Sequence, residues 1–165
     1  MKKRILSVIS SIAILCTMTM ISSVDVKAAD NEPVIVDGSY LTDADSSTGY
    51  SSTKTRGEFL MDGECSISRA GLTRVYAYAS TTANFEVNYM ATLVFVDQLI
   101  EVDNNMEWGQ VHAWSEVSRN DYYMSTAQSV TVDRGYYYRV RAQHLAGNQA
   151  PYDETASVTN GIKVP

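Results

Sequence analysis

Asp133-Arg134-Gly135-Tyr136-Tyr137-Tyr138-Arg139-Val140-Arg141-Ala142-Gln143-His144 decides the fold class of this chain. An Asp-Arg-Gly turn leads into an alternating run, with Tyr138, Val140 and Ala142 on one face and Arg139, Arg141 and Gln143 on the other. Side chains that repeat every second residue require a strand, because a helix gathers every third or fourth residue on one side.

The same texture continues upstream. Residues 72–80 set Leu72, Arg74, Tyr76 and Tyr78 against Thr73, Val75, Ala77 and Ala79. Residues 85–97 begin with Phe85, Val87 and Tyr89 alternating with Glu86 and Asn88, then become apolar on both faces over 93–96, as in a central strand covered on both sides. Further strands are predicted over 108–118, 129–132 and 155–164, with turn signals at Asp103-Asn104-Asn105, Asn120-Asp121 and Ala146-Gly147-Asn148. No amphipathic helix is visible after the first 28 residues. Six or seven strands at this spacing predict an all-β fold, a single antiparallel β-sandwich. The stretch over 133–144 resembles the penultimate strand of immunoglobulin-like and fibronectin type III sandwiches, where a Tyr near the strand start ties the chain to the preceding corner. The disulfide and the buried tryptophan of antibody domains cannot be assigned, so the resemblance extends to the looser sandwich class.

The amino terminus reads as a secretory signal peptide over residues 1–28. Lys2, Lys3 and Arg4 precede an apolar run that reaches Ile21, and Val26-Lys27-Ala28 offers small residues at −3 and −1, placing cleavage after Ala28. A permanent anchor is disfavoured, because Ser7, Ser10, Ser11, Thr17 and Thr19 interrupt a run shorter than the roughly 20 apolar residues of a spanning helix. A lipid anchor on Cys16 fails because Leu15 stands where Gly, Ala or Ser is needed. Residues 29–57 are rich in Asn, Asp, Ser, Thr and Gly around an apolar island at 34–36, and predict a flexible or loosely docked polar lead-in. The β-sandwich domain is then expected over 58–165.

Without the leader about 137 residues remain, enough for one domain with one core. The leader takes four basic residues and one acidic residue with it, so the formal charge moves from −6 to about −9. Such acidity argues against nucleic acid and anionic membrane surfaces, which select Lys and Arg patches. Cys65 is the single cysteine after the leader, so no internal disulfide is possible, and the residue reads best as a small buried hydrophobe.

The basic leader, the Thr-rich step Ala79-Ser80-Thr81-Thr82-Ala83, the Trp108 region, Gly135-Tyr136-Tyr137-Tyr138-Arg139-Val140 and Thr159-Asn160-Gly161-Ile162-Lys163 together resemble a family of small secreted proteins from Gram-positive, clostridia-like bacteria, a domain of unknown function. The resemblance covers residues 67–164. It implies export and a β-rich domain, and brings no catalytic residue with it.

Motifs that dictate chemistry are scarce. Asp43-Ala44-Asp45-Ser46-Ser47 begins like a calcium loop, but Thr48 stands where the sharp turn needs Gly and Lys54 where a bidentate Glu should close it. His112 and His144 fall in predicted strands without the spacing of a zinc site. There is no serine elbow, phosphate loop or Cys-His signature. No metal, cofactor or catalytic residue is therefore assigned.

Aromatic residues offer the best binding signal. Trp108, Trp114, Tyr122, Tyr123, Tyr136 and Tyr137 cluster in one part of the sequence, and aromatic faces suit stacking on sugar rings or anchoring an interface. The expected site comprises Trp108, Trp114 and Tyr123 as stacking groups, oriented by Arg119 and Asn120. The competing role is core, since a sandwich with three Phe must fill its interior with Tyr and Trp. The sequence reading is a secreted, extracellular, non-enzymatic binding module for cell-envelope glycan or a surface protein, released without a permanent membrane anchor. A bacteriocin- or toxin-like antagonist is the second reading and a wall-polymer hydrolase the third.

Overall fold

The computed structural model describes residues 34–51 and 57–165. The expected leader and its cleavage site lie outside the described residues. Eleven strands follow one another among the described residues: β1 (Ile35–Val36), β2 (Ser39–Thr42), β3 (Ser46–Tyr50), β4 (Leu60–Arg69), β5 (Arg74–Val87), β6 (Tyr89–Val102), β7 (Asn105–Ser118), β8 (Asp121–Thr131), β9 (Tyr137–Gly147), β10 (Asp153–Val158) and β11 (Gly161–Lys163). No helix occurs among the described residues. The class is all-β.

Two sheets result. One has seven strands in the order β1-β2-β11-β9-β6-β7, with β10 continuing along β9 beyond β11; the other runs β3-β4-β5-β8. They face each other across a shared core, in a sandwich-like arrangement. Tyr138, Val140 and Ala142 of β9 and Val94 and Val96 of β6 meet Cys65 and Ile67 of β4 and Val75, Ala77 and Ala79 of β5. The alternations over 72–80 and 133–144 thus assign the inner faces correctly. The Tyr138 hydroxyl donates to Asp133 O at 2.9 Å, tying the strand start to the corner before it.

The structure departs from the sequence expectations at several places, and β8 begins at Asp121 where a strand was expected only over 129–132. The described part of the 29–57 segment is built into both sheets as β1, β2 and β3, where a loosely docked lead-in was expected. Asp37 (φ 46°) and Gly38 (φ 75°) form the tight turn of the β1–β2 hairpin, a strong Asp-Gly hairpin signal hidden in polar surroundings. β4 was not anticipated, because its Leu60-Met61-Asp62-Gly63-Glu64-Cys65-Ser66-Ile67 alternation is diluted by small and acidic residues. β5 runs through the Thr-rich step to Val87, so Phe85 belongs to β5 rather than to the start of the next strand. The segment over 155–164 divides into β10 and β11, and β11 pairs in parallel with β2, so the antiparallel rule has one exception.

One irregularity decides where the tryptophans go. Along the β6–β7 ladder, Val96 pairs with His112 but Asp97 pairs with Gln110, so Val111 is an extra residue in β7. A bulge of this kind switches the face on which later side chains fall. Trp114 lies opposite core residue Val94 and packs against the interior, whereas Trp108 lies opposite Leu99 on the other face of the sheet.

Candidate functional site

The outer face of the seven-stranded sheet is closed over a charged cluster. Asp97 of β6 and Arg139 of β9 are direct cross-strand partners and both are buried, at 1% and 3% exposure. Arg139 Nε donates to Asp97 Oδ2 at 3.1 Å, and Arg141 reaches the same carboxylate through Nε at 2.6 Å and Nη2 at 3.1 Å. The β1–β2 hairpin caps this pair: Arg139 Nη1 donates to Asp37 O and Ser39 Oγ, and Nη2 to Asp37 Oδ2. Trp108 completes the cover, with its ring 4.6 Å from the Arg139 guanidinium and its Nε1 donating to Val36 O at 2.9 Å. A Cβ on Gly161 would collide with that ring, so glycine is what lets Trp108 lie down on β11.

Trp114 is equally engaged elsewhere. It fills the gap between edge strands β7 and β8, donating from Nε1 to Thr126 Oγ1 at 3.0 Å beside His112, whose Nε2 lies 2.8 Å from Gln128 Oε1. His144 sits between the sheets with Nδ1 2.8 Å from Thr81 Oγ1 and Nε2 2.8 Å from Ser157 Oγ. Its ring lies against Gly63, where any side chain would strike it. Burial pushes the His144 pKa down to about 4. Burial likewise pushes the Cys65 thiol up to about 11, so it is an inert core residue rather than a nucleophile. Arg69 pairs with Asp45 and donates to Asp43 O, tying down the loop that resembled a calcium site.

The outer face of the four-stranded sheet is different. Cross-strand register places on it Tyr50 and Thr48 of β3, Asp62, Glu64, Ser66 and Ser68 of β4, Tyr76, Tyr78 and Ser80 of β5, and Tyr123, Ser125 and Ser129 of β8. Tyr50 is 66% exposed, and Tyr76 and Tyr123 are each 43% exposed. The hydroxyls of Tyr78 and Tyr123 meet at 2.9 Å, an arch that leaves Ser80 nearly covered. Desolvation, with further contributions from the Tyr123 hydroxyl and Glu64 against an opposing one from Ser80, raises the Tyr78 pKa, so the phenol stays neutral. The result is a field of rings, small hydroxyls and the two carboxylates of Asp62 and Glu64. Two clefts elsewhere, one at Gln98, Val111 and Tyr138 and one at Phe95, Arg141 and Val158, measure only about 160 Å³ each. Pockets that enclose a small molecule are commonly about 300 Å³ or larger.

Of the five residues expected to form one site, only Tyr123 is on this face. Trp108 lies on the far side of the molecule and Trp114 in the side seam. Asn120, at φ 53°, makes the β7–β8 turn, and Arg119 lies 5.6 Å from the Tyr89 ring. The structure therefore does not gather the five. Asp121, next in the chain, accepts from the backbone N–H groups of Tyr122 and Tyr123, and these bonds together with that from the Ser118 hydroxyl lower its pKa. Sequence reasoning missed Tyr50, Tyr76 and Tyr78. The signal for two of them was present, since Tyr76 and Tyr78 share their face with Arg74 while Val75, Ala77 and Ala79 take the other.

A two-sheet all-β domain with a tyrosine-rich outer face is the class that fold and surface define. The chain belongs to DUF6147, a family of unknown function, whose family model matches residues 27–162. No curated protein matches the chain.

Proposed function

We propose that the chain is an exported, non-enzymatic binding module whose four-stranded sheet takes up a glycan of the cell envelope. The observation that carries this reading is the exposed tyrosine face. Tyr50, Tyr76 and Tyr123 present ring surface on a sheet lined with serine and threonine hydroxyls, and Ala127 is the one aliphatic side chain among the paired outward positions. Protein interfaces usually carry an apolar centre. Sugar rings instead offer patches of C–H to stack on aromatic faces and hydroxyls to meet hydroxyls. The hydrophobic leader, with its basic start and Val26-Lys27-Ala28 end, supports export. The Tyr138–Asp133 tie supports an immunoglobulin or fibronectin type III kind of sandwich.

The test is cosedimentation of the purified protein with Gram-positive cell walls, with soluble sugar measured in the same tube. Saturable cosedimentation that Tyr76→Ser weakens, without sugar release, supports the module. Unaffected binding in that variant removes the tyrosine face as the site, and sugar release revives a hydrolase.

A further inference from the structure

We infer that the tyrosine face seats a primary ammonium group at Glu64, and that its ligand is an amino-sugar polymer with free amines. The inference deepens the glycan reading and rests on it. Glu64 stands directly across from Tyr50 on one side and from Ser80 on the other, with Tyr78 diagonal to it. Directly opposed side chains in a sheet have Cβ atoms about 5 Å apart, and diagonal ones about 7 Å, within reach of a ring. The carboxylate is thus flanked by aromatic residues. No ion pair or hydrogen bond to Glu64 is made among the described residues.

Asp62 is the next outward residue of β4. Its Oδ1 accepts from the Ser51 hydroxyl and from Gly63 N, leaving Oδ2 without a donor among the described residues. Among the described residues, neither Glu64 nor Asp62 is matched by a basic side chain. The one paired basic residue of the face, Arg74, lies six residues along β5 from Ser80, about 20 Å away at the rise of a strand. Charge over the domain runs the same way, with Lys163 the single lysine among the described residues. A carboxylate beside aromatic faces is the chemistry that selects an ammonium, through Coulomb attraction and cation–π contact together. N-acetylation would remove that charge. A lysine-rich peptide would also present ammonium groups, but the serine and threonine rows around Glu64 favour a ligand that is itself covered in hydroxyls.

Isothermal titration of the purified protein with a glucosamine hexamer, an N-acetylglucosamine hexamer and hexalysine tests this directly. The glucosamine hexamer is expected to bind best, and Glu64→Gln to weaken it at least tenfold while leaving the unfolding midpoint and the N-acetylated control unchanged. Equal or tighter binding of the N-acetylated hexamer, or no effect of Glu64→Gln, overturns the ammonium seat and leaves the glycan reading standing. Hexalysine binding as tight as the glucosamine hexamer overturns the sugar class. Wall cosedimentation without binding of any of the three also overturns the seat alone, and failure of both experiments removes the glycan reading with it.

Discussion

On the outer face of the seven-stranded sheet, Arg139, Asp97 and Trp108 lie beneath the β1–β2 hairpin. On the outer face of the four-stranded sheet, Tyr50, Tyr76 and Tyr123 remain open. Both faces carry aromatic rings and charges in strand alternation. What separates them is cover: a short hairpin from the start of the domain turns the first face into interior, and its ions must then satisfy one another. A ring is available for binding only where the chain does not return over it.

The comparison breaks most sharply at Asp97. Asp97→Ala leaves Arg139 buried with part of its charge uncompensated, and should cost about 3–5 kcal/mol in urea unfolding. A loss of less than about 1 kcal/mol would mean that the capped face is as solvated as the open one. Acid should act next. The His144 pKa falls from 6.5 to about 4 on folding, so the unfolded chain binds the extra proton between those values. Stability is complete above about pH 6.5 and declines by roughly 3 kcal/mol as pH falls to about 4. His144→Gln should flatten this slope in unfolding curves taken across the window.

Trp108→Ala should cost about 2 kcal/mol by removing the ring from Arg139 and Gly161 and the hydrogen bond to Val36, with wall cosedimentation unchanged. A variant that kept its stability and lost binding would reverse the assignment of the two faces. The smallest stability effect belongs to Tyr76→Ser, within about 0.5 kcal/mol of the parent by thermal unfolding, while cosedimentation falls severalfold.

The inner faces of β5 and β9 were legible because one residue in two is apolar, and core placement follows from that alternation. The turns at Asp103-Asn104 and Asn120 were legible because Asn and Asp tolerate positive φ, which all three adopt. The fate of the tryptophans was not. Their spacing of six would place both on one face of a regular strand, and only the extra residue Val111, visible through pairing with β6, puts them on opposite sides. Tyr123 could be named from the sequence because it lies near other aromatics in the chain. Tyr50 could not, since it reaches Tyr78 only through two ladders and Tyr123 only through three. Clustering along the chain measured proximity in sequence, and the site depends on proximity across strands.

The parallel pairing of β2 with β11 sets Leu41 beside Gly161, about as far apart along the domain as two residues can be. The hairpin that shields Arg139 precedes the other described strands in the chain, yet its berth on β7, β9 and β11 is complete only when β11 is in place. Contacts of such long sequence separation slow folding, because much chain must be ordered before they form. A chain cut short before Gly161 would keep most of its core sequence and lose the berth, leaving the Asp97–Arg139 pair open to water. The two-sheet fold is therefore sealed by joining strands far apart in the chain, β2 and β11.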